Sequence, residues 1–454
     1  MEAFDRFASM FKRAWASYPK DFMGLILLAW AIPAIYTLVN TFYIGRMEME
    51  AIAISEQYEN VAVILEVLLE MFPLAVLALV AWDFMNKTRV VDVVRTAIVM
   101  QLVITIFFML LIILGTGLFV DTINTPVEIR DRTISFLSVK AIAIPFESIG
   151  LLFIVALKAM RKGKIAVGIA AVGVVLNVIL DTIVISDYSF SLRLGLMGSA
   201  YDYVISKVVI FLVAGVVFYW VVKSKPDLKF GKNEGGAIFR IGKFCGAESA
   251  VRNVGYILGM LVVLNTLGPA EYGGYGVAMT IMWLIFLIPV LALQEATNVA
   301  IGNEYGKRNL DGMRKVQFVS LIIMTTYMLV VTICGIFMWR PLSSFFNQNA
   351  EIVDYSVLTF TYLAVPYIFF TIGSAMRSLL IGTGKTFYYL IPSIVVNLGI
   401  YIPVGLLVKM NMYTPSFNEI MIISFFVFAI DLVVVTSLVK RAYGKLKREF
   451  EIVV

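Results

Sequence analysis

The feature that most limits what this chain can become is a set of twelve apolar runs. They lie near residues 22–44, 55–82, 95–119, 134–158, 164–186, 197–222, 243–267, 275–301, 315–338, 352–376, 386–408 and 418–439. Each is near or above the ~20 residues a helix needs to cross a hydrocarbon core. Strands of a membrane barrel alternate in polarity over about ten residues, and these runs are too long and too evenly apolar for that. Hydrophobic residues make up 60% of the chain, against roughly 45–50% in soluble domains. The expectation is an all-α membrane protein of twelve transmembrane helices, with the lipid bilayer as its solvent.

The basic residues orient it. Arg46, Arg130, Arg132, Arg193, Arg340 and Lys409 fall in the loops of one side, and Lys140, Lys207 and Arg252 inside spans. The rest of the 37 Lys and Arg lie at the N-terminus, the even-to-odd loops and the C-terminus. The positive-inside rule then places both termini in the cytoplasm of a multi-pass cell-membrane protein. The net charge of +6 is a property of these loops, not a nucleic-acid footprint. The chain has no histidine, so it lacks the usual zinc ligand and the usual physiological proton switch. Cys245 and Cys334 sit in apolar runs and suggest no disulfide framework. Phe4, Phe7, Met10, Phe11 and Trp15 recur at helical spacing within residues 1–21, as in a helix lying at the interface, with no cleavable signal peptide.

The chain repeats itself. Asn40 opens NTFYIGRMEMEAIA and Asn265 opens NTLGPAEYGGYGVA; RVVDVVR at 89–95 matches RNLDGMR at 308–314. Pro145 precedes the GK of Gly163 by the same interval that separates Pro366 from the GK of Gly384. This gives an N-lobe at 1–223, a linker at 224–242 and a C-lobe at 243–454. Each lobe has six spans, so both insert the same way. A pseudo-two-fold along the membrane normal should relate them, with substrate sites near mid-depth.

One span stands out. Residues 163–186 are apolar but for Asn177 and Asp181, which stack on one helix face. A carboxylate facing lipid is expensive, so Asp181 should face protein, water or a cation. The fifth and sixth spans form a hairpin whose middle falls near 191–192, which places Asp181 and Asp202 at similar depth. Asn40 lies in the outer third of its own span. Asn40, Asn177, Asp181 and Asp202 are therefore expected to ring one cation-coupling site. Asn and Asp oxygens suit a hard cation, so Asn177 and Asp181 are the expected Na⁺ ligands, with H⁺ the other candidate coupling ion and no further cofactor. Glu59, Glu66 and Glu70 make an acidic stripe on the second span, either facing substrate or paired with Lys140 or Lys207. Glu248 and Arg252 read as an ion pair at i,i+4, and Glu295 as a residue lining the cleft.

The two six-span lobes, the basic joint and the GK…LNVILD stretch of the fifth span resemble the multidrug and toxic compound extrusion (MATE) transporters. So does IPVLALQEATNVAIGNEYGKRNLDGMRK at 288–315. The resemblance covers essentially the whole chain and is nearest the archaeal, DinF-like branch. It implies that Asn177 and Asp181 belong to an N-lobe cation site, where Asn40 replaces an aspartate usual at the end of the first span. It also implies that Glu248 matches the seventh-span glutamate of other branches, whose tenth-span acid has no counterpart here.

The reading is a secondary antiporter, not an enzyme. It exports an organic, cationic amphiphile in exchange for Na⁺ or H⁺ by alternating access, as a monomer with no nucleic-acid partner. Glu66, Glu70, Glu147, Asp181, Asp202, Glu248 and Glu295 outnumber the three in-span bases and favour a cation. The alternative is a flippase for an anionic lipid-linked substrate held by Lys140, Lys207 and Arg252. An intramembrane enzyme has no HExxH, no Gly-x-Ser-x-Gly and no histidine base to draw on. A channel is hard to reconcile with a two-lobe repeat. Prolines 33, 73, 145, 289, 366, 392 and 403 are expected to break the spans.

Overall fold

The computed structural model describes residues 11–451, apart from 13, 16–17, 45–48, 123–126 and 187, and without the side chains of 35–44, 49–53, 56–57, 59–60, 64, 122 and 128. Every regular element among them is helical. Among the described residues, eleven apolar helical columns are long enough to cross a membrane. With α1, Lys20–Ile44, they follow the twelve expected spans in order. Next come α2 (Met49–Trp82) and α3 (Lys87–Thr122). The fourth column is α4 (Val127–Ala141) and α5 (Ile144–Ala159), followed by α6 (Gly163–Val184) and α7 (Gly195–Val222). The later columns are α8 (Lys232–Gly255), α9 (Pro269–Met282), α10 (Ile288–Gly306), α11 (Leu310–Phe346) and α12 (Ala350–Gly382). The last two are α13 (Thr386–Ser393), continued by α14 (Ile402–Lys409), and α15 (Phe417–Glu451).

The chain forms two compact units. One is Leu28–Gly246; the other joins Ala247–Val454 to the residues up to Leu27. Tyr18 belongs to the second, where its hydroxyl meets that of Ser320 at 2.9 Å. Most of the expected interfacial stretch before it lies outside the described residues.

In the first unit, helix sides that turn from lipid pack Leu65, Leu68, Val120, Phe136, Leu137, Ile144, Leu196 and Ala200 into one cluster. In the second, aromatic rings fill the core. Trp339 and Phe360 stack at 4.2 Å, and Phe286 meets both edge-on along with Tyr367. Trp339 donates its indole N–H to the Ser356 carbonyl at 3.0 Å, so the buried ring leaves no donor unmet.

The prolines break fewer helices than expected. α1, α2, α12 and α13 run through Pro33, Pro73, Pro366 and Pro392. Pro73, Pro366 and Pro392 are buried, and neighbouring helices hold a span together there where an isolated helix would yield; Pro33 is exposed. The helix is interrupted just before Pro145, between α4 and α5. Near Pro289 and Pro403 it widens instead into π turns, at Trp283–Leu287 and Ile394–Tyr401; a third π turn covers Tyr256–Leu261. Proline has no N–H to give the carbonyl four residues back. For Pro289 that carbonyl is Ile285, and the Tyr327 hydroxyl donates to it at 2.6 Å.

The π turn after Gly255 and the α14 helix pack backbone to backbone. A Cβ on Gly405 would stand 2.1 Å from the Leu258 carbonyl oxygen, and one on Gly259 2.6 Å from the Tyr401 backbone. Gly405→Ala is expected to cost about 1–3 kcal/mol, the usual penalty of overpacking, read as a lower midpoint in thermal unfolding in detergent. An unchanged midpoint would show that the seam can part without cost.

Candidate functional site

The unit Leu28–Gly246 holds a cavity of about 620 Å³. Its walls are mostly aliphatic, from Leu65 and Leu69 on α2, Leu151 and Ile154 on α5, and Ile169 and Val174 on α6. Charged and polar groups mark its two ends.

One end lies by the α6–α7 hairpin. Asp181 comes one turn before the end of α6 and Asp202 two turns into α7, so the hairpin brings them face to face. Asp181 is 0% and Asp202 3% exposed, and their carboxyl groups lie within hydrogen-bonding reach of each other. Two ionised carboxylates only accept, so a proton or a cation between them would relieve their repulsion. Asp202 lines the cavity and Asp181 stands behind it. Asn177 also lines the cavity, and its side-chain oxygen accepts a hydrogen bond from the Ser206 hydroxyl.

Around the pair stands a ring of charge. Lys207 donates to Glu147, which also accepts from the Tyr203 hydroxyl at 2.8 Å. Tyr58 donates to Tyr203 at 3.1 Å. The Lys140 ammonium sits 3.9 Å from the centre of the Tyr58 ring and 4.9 Å from that of Tyr203, close enough to act on the charges of Asp202 and Glu147. Aromatic faces attract a cation held this way.

Lys158 marks the other end, at the α5–α6 turn. It is 7% exposed, lines the cavity, and holds its ammonium 5.7 Å from the centre of the Trp30 ring.

The remaining candidates lie elsewhere. Tyr58, Ala62, Leu65 and Leu69 present one face of α2 to the cavity. Glu66 and Glu70 stand one position on, about 100° round the helix, and neither lines it. Lys207, an expected partner for the acidic stripe, pairs with Glu147. The side chains of Asn40 and Glu59 lie outside the described residues.

Glu248 and Glu295 belong to the other unit. Glu248 meets Arg252 at 3.6 Å, the expected i,i+4 pair. Arg377 is near it as well and is bonded to Asp431, with the Tyr389 and Ser393 hydroxyls beside Glu248. Arg377 and Asp431 escaped the sequence reading. Arg377 falls one residue past its run, and Asp431 is one of two acids, with Glu419, within the twelfth.

The all-helical, many-span fold is shared with solved membrane transporters. Residues 245–407 match the MatE family model. The probable multidrug resistance protein NorM of Thermotoga maritima is 24% identical over 221 residues, 46% of this chain and 46% of that protein. The chain thus matches about half the length of this curated relative. Among solved structures, a MOP superfamily transporter of Pyrococcus furiosus gives a TM-score of 0.84 at 16% identity, covering 96% of this chain and 97% of that one. The reverse polarity of that protein's binding pocket is said to suggest a different function. A Vibrio cholerae MATE transporter gives 0.84 at 15% identity, covering 96% and 98%. Over residues 245–407 the chain is thus similar to the MATE family, and its fold is that of the MATE transporters of known structure.

Proposed function

We propose that this chain is a proton-coupled secondary antiporter that exports an organic amphiphile by alternating access. It works as a monomer in the cell membrane and makes or breaks no covalent bond of its substrate. The observation that carries the reading is the approach of Asp181 to Asp202 at the wall of the cavity. A pair that holds one proton and can take or lose another is a proton carrier. When it loses its proton, an ammonium group can take the proton's place, and competition of that kind is what exchange requires. Na⁺ is the other coupling ion to consider. The Asn177 oxygen keeps a second lone pair beside the one Ser206 uses, so it remains able to bind a metal.

The flippase alternative keeps Lys140 and Lys207 in the cavity but loses Arg252, which pairs with Glu248 in the other unit. Proteoliposomes with imposed pH and Na⁺ gradients, applied separately, decide the coupling. Export driven by the pH gradient alone is expected; export that needs Na⁺ in both cases would overturn proton coupling.

Topology has its own test. In a variant without Cys245 and Cys334, Thr125→Cys should react with an impermeant maleimide from outside and Lys229→Cys should not. The reverse pattern would invert the protein and with it the direction of export.

A further inference from the structure

The apolar run of α15 stops at Val439, and the helix continues as KRAYGKLKREFE for about three turns more. Ala442 and Leu446 are 0% exposed and seat this extension on its own unit. The Tyr443 hydroxyl donates to the Gln317 side-chain oxygen of α11 at 2.6 Å, and Lys385 donates to Glu449 at 2.7 Å. The other side of the extension carries Lys440, Arg441, Lys445, Lys447 and Arg448, all exposed. Nearby bases are mostly answered by acids: Lys307 by Glu304, Lys315 by Asp311, Lys447 by Glu451. Among the described residues, Lys440, Arg441, Lys445 and Arg448 form no ion pair, and neither does Arg314 of α11. Two of these cations rest on tyrosines instead. Arg314 lies 5.6 Å from the centre of the Tyr443 ring, and Lys445 lies 5.1 Å from that of Tyr388.

Depth says what such a surface meets. Arg314 just precedes the ninth apolar run, and Lys440 and Arg441 just follow the twelfth. All three stand within one helical turn of the hydrocarbon, at the level of phospholipid headgroups. Tyrosine is enriched at that level. Helical side chains lean toward the N-terminus, which on α15 is the membrane side, so Lys445 reaches back toward the same layer. Lys440 comes three residues before Tyr443 and shares the flank of Arg314. Arg441, Lys445 and Arg448 follow at i, i+4 and i+7 and make a second stripe. We infer that the start of α11 and the extension of α15 form a docking surface for anionic phospholipid, whose headgroup phosphates meet Arg314, Lys440 and Arg441. A soluble acidic protein fits less well, because it would have to reach these three through the headgroup layer. A zwitterionic phospholipid brings an ammonium group of its own against the bases. The surface owes nothing to the transport reading and stands whichever ion drives export.

Titration of fluorescent phosphatidylglycerol and its phosphatidylcholine analogue into the protein in neutral detergent tests this. Phosphatidylglycerol should bind more tightly by about tenfold or more, and the difference should shrink as salt is added. Each base at an anionic surface is worth about fivefold in affinity, so Arg314→Gln, Lys440→Gln and Arg441→Gln together should weaken phosphatidylglycerol about a hundredfold. Binding of phosphatidylcholine should not change. Arg314→Lys with Arg441→Lys keeps the charge and should keep most of the binding. Lys223→Gln, Lys225→Gln and Lys232→Gln remove the same charge from around the linker and should leave binding as it was. Equal binding of the two lipids overturns the inference, and so does native binding by the Gln variant or an equal loss in the linker variant. Inorganic phosphate at the lipid's own concentration should not compete; displacement by it would make this a site for a soluble anion and not for a membrane. A fall in the lipid-free unfolding midpoint of both the Gln and the Lys variants would make these bases structural and overturn it too.

Discussion

Asp181→Asn is expected to abolish export driven by a pH gradient, by a hundredfold or more, in a protein that still folds and still binds substrate. Asparagine keeps the shape of the side chain and can hydrogen-bond Asp202, but it cannot take up or release a proton. Asp202→Asn should do the same, since the proton belongs to the pair and not to either residue. Flux in proteoliposomes, with thermal unfolding as the control for folding, measures both. If either variant transports at the normal rate under the same gradient, the pair is not the coupling site. Attention would then move to Glu248 in the other unit. Asn177→Ala serves as the contrast. It removes a neutral oxygen ligand, so it should reduce any Na⁺-dependent component more than the proton-driven one.

The second large effect concerns stability. Arg377 and Asp431 are 14% and 12% exposed at their side chains and bonded to each other, with Glu248 close by. Arg377→Met strands two acidic groups in a buried place. Breaking one member of a buried pair costs about 3–5 kcal/mol, which should appear as a large fall in the unfolding midpoint or in yield. Arg377→Met combined with Asp431→Leu should recover much of the loss, because apolar replacement of a whole buried pair is often neutral or better. A double variant no more stable than the single one would mean that the pair holds Glu248 in place and does more than neutralise itself.

Hydropathy located the twelve helices because a bilayer demands long apolar runs, and little else in a chain imitates them. It did not find their ends. α3 begins at Lys87 where the apolar run begins at 95, and α15 continues to Glu451 where the run stops at 439. Charged turns outside the hydrocarbon extend a helix without adding hydropathy. Asp181 and Asp202 could be matched because a hairpin fixes depth by simple counting from its middle. The Arg377–Asp431 pair could not, since α12 and α15 are far apart in the chain and depth alone does not say which faces meet. Lys158 was hidden differently: it sits at the edge of its run and reads as one more basic loop residue. Sequence shows that it is charged and near an end; only packing shows that it lines a cavity.

The π turn at Trp283–Leu287 has a consequence for how this protein can change over time. A wide turn accommodates one residue more than a regular helix would place there. Deleting one residue from 283–287 would let the helix close into ordinary turns and swing everything on one side of it by about 100°. The inward place of the buried Gln294 would then pass to a neighbour. Along this column, single-residue insertions and deletions are small moves in sequence and large moves in which side chains face inward. Substitution is not the only way its interior can be rewritten.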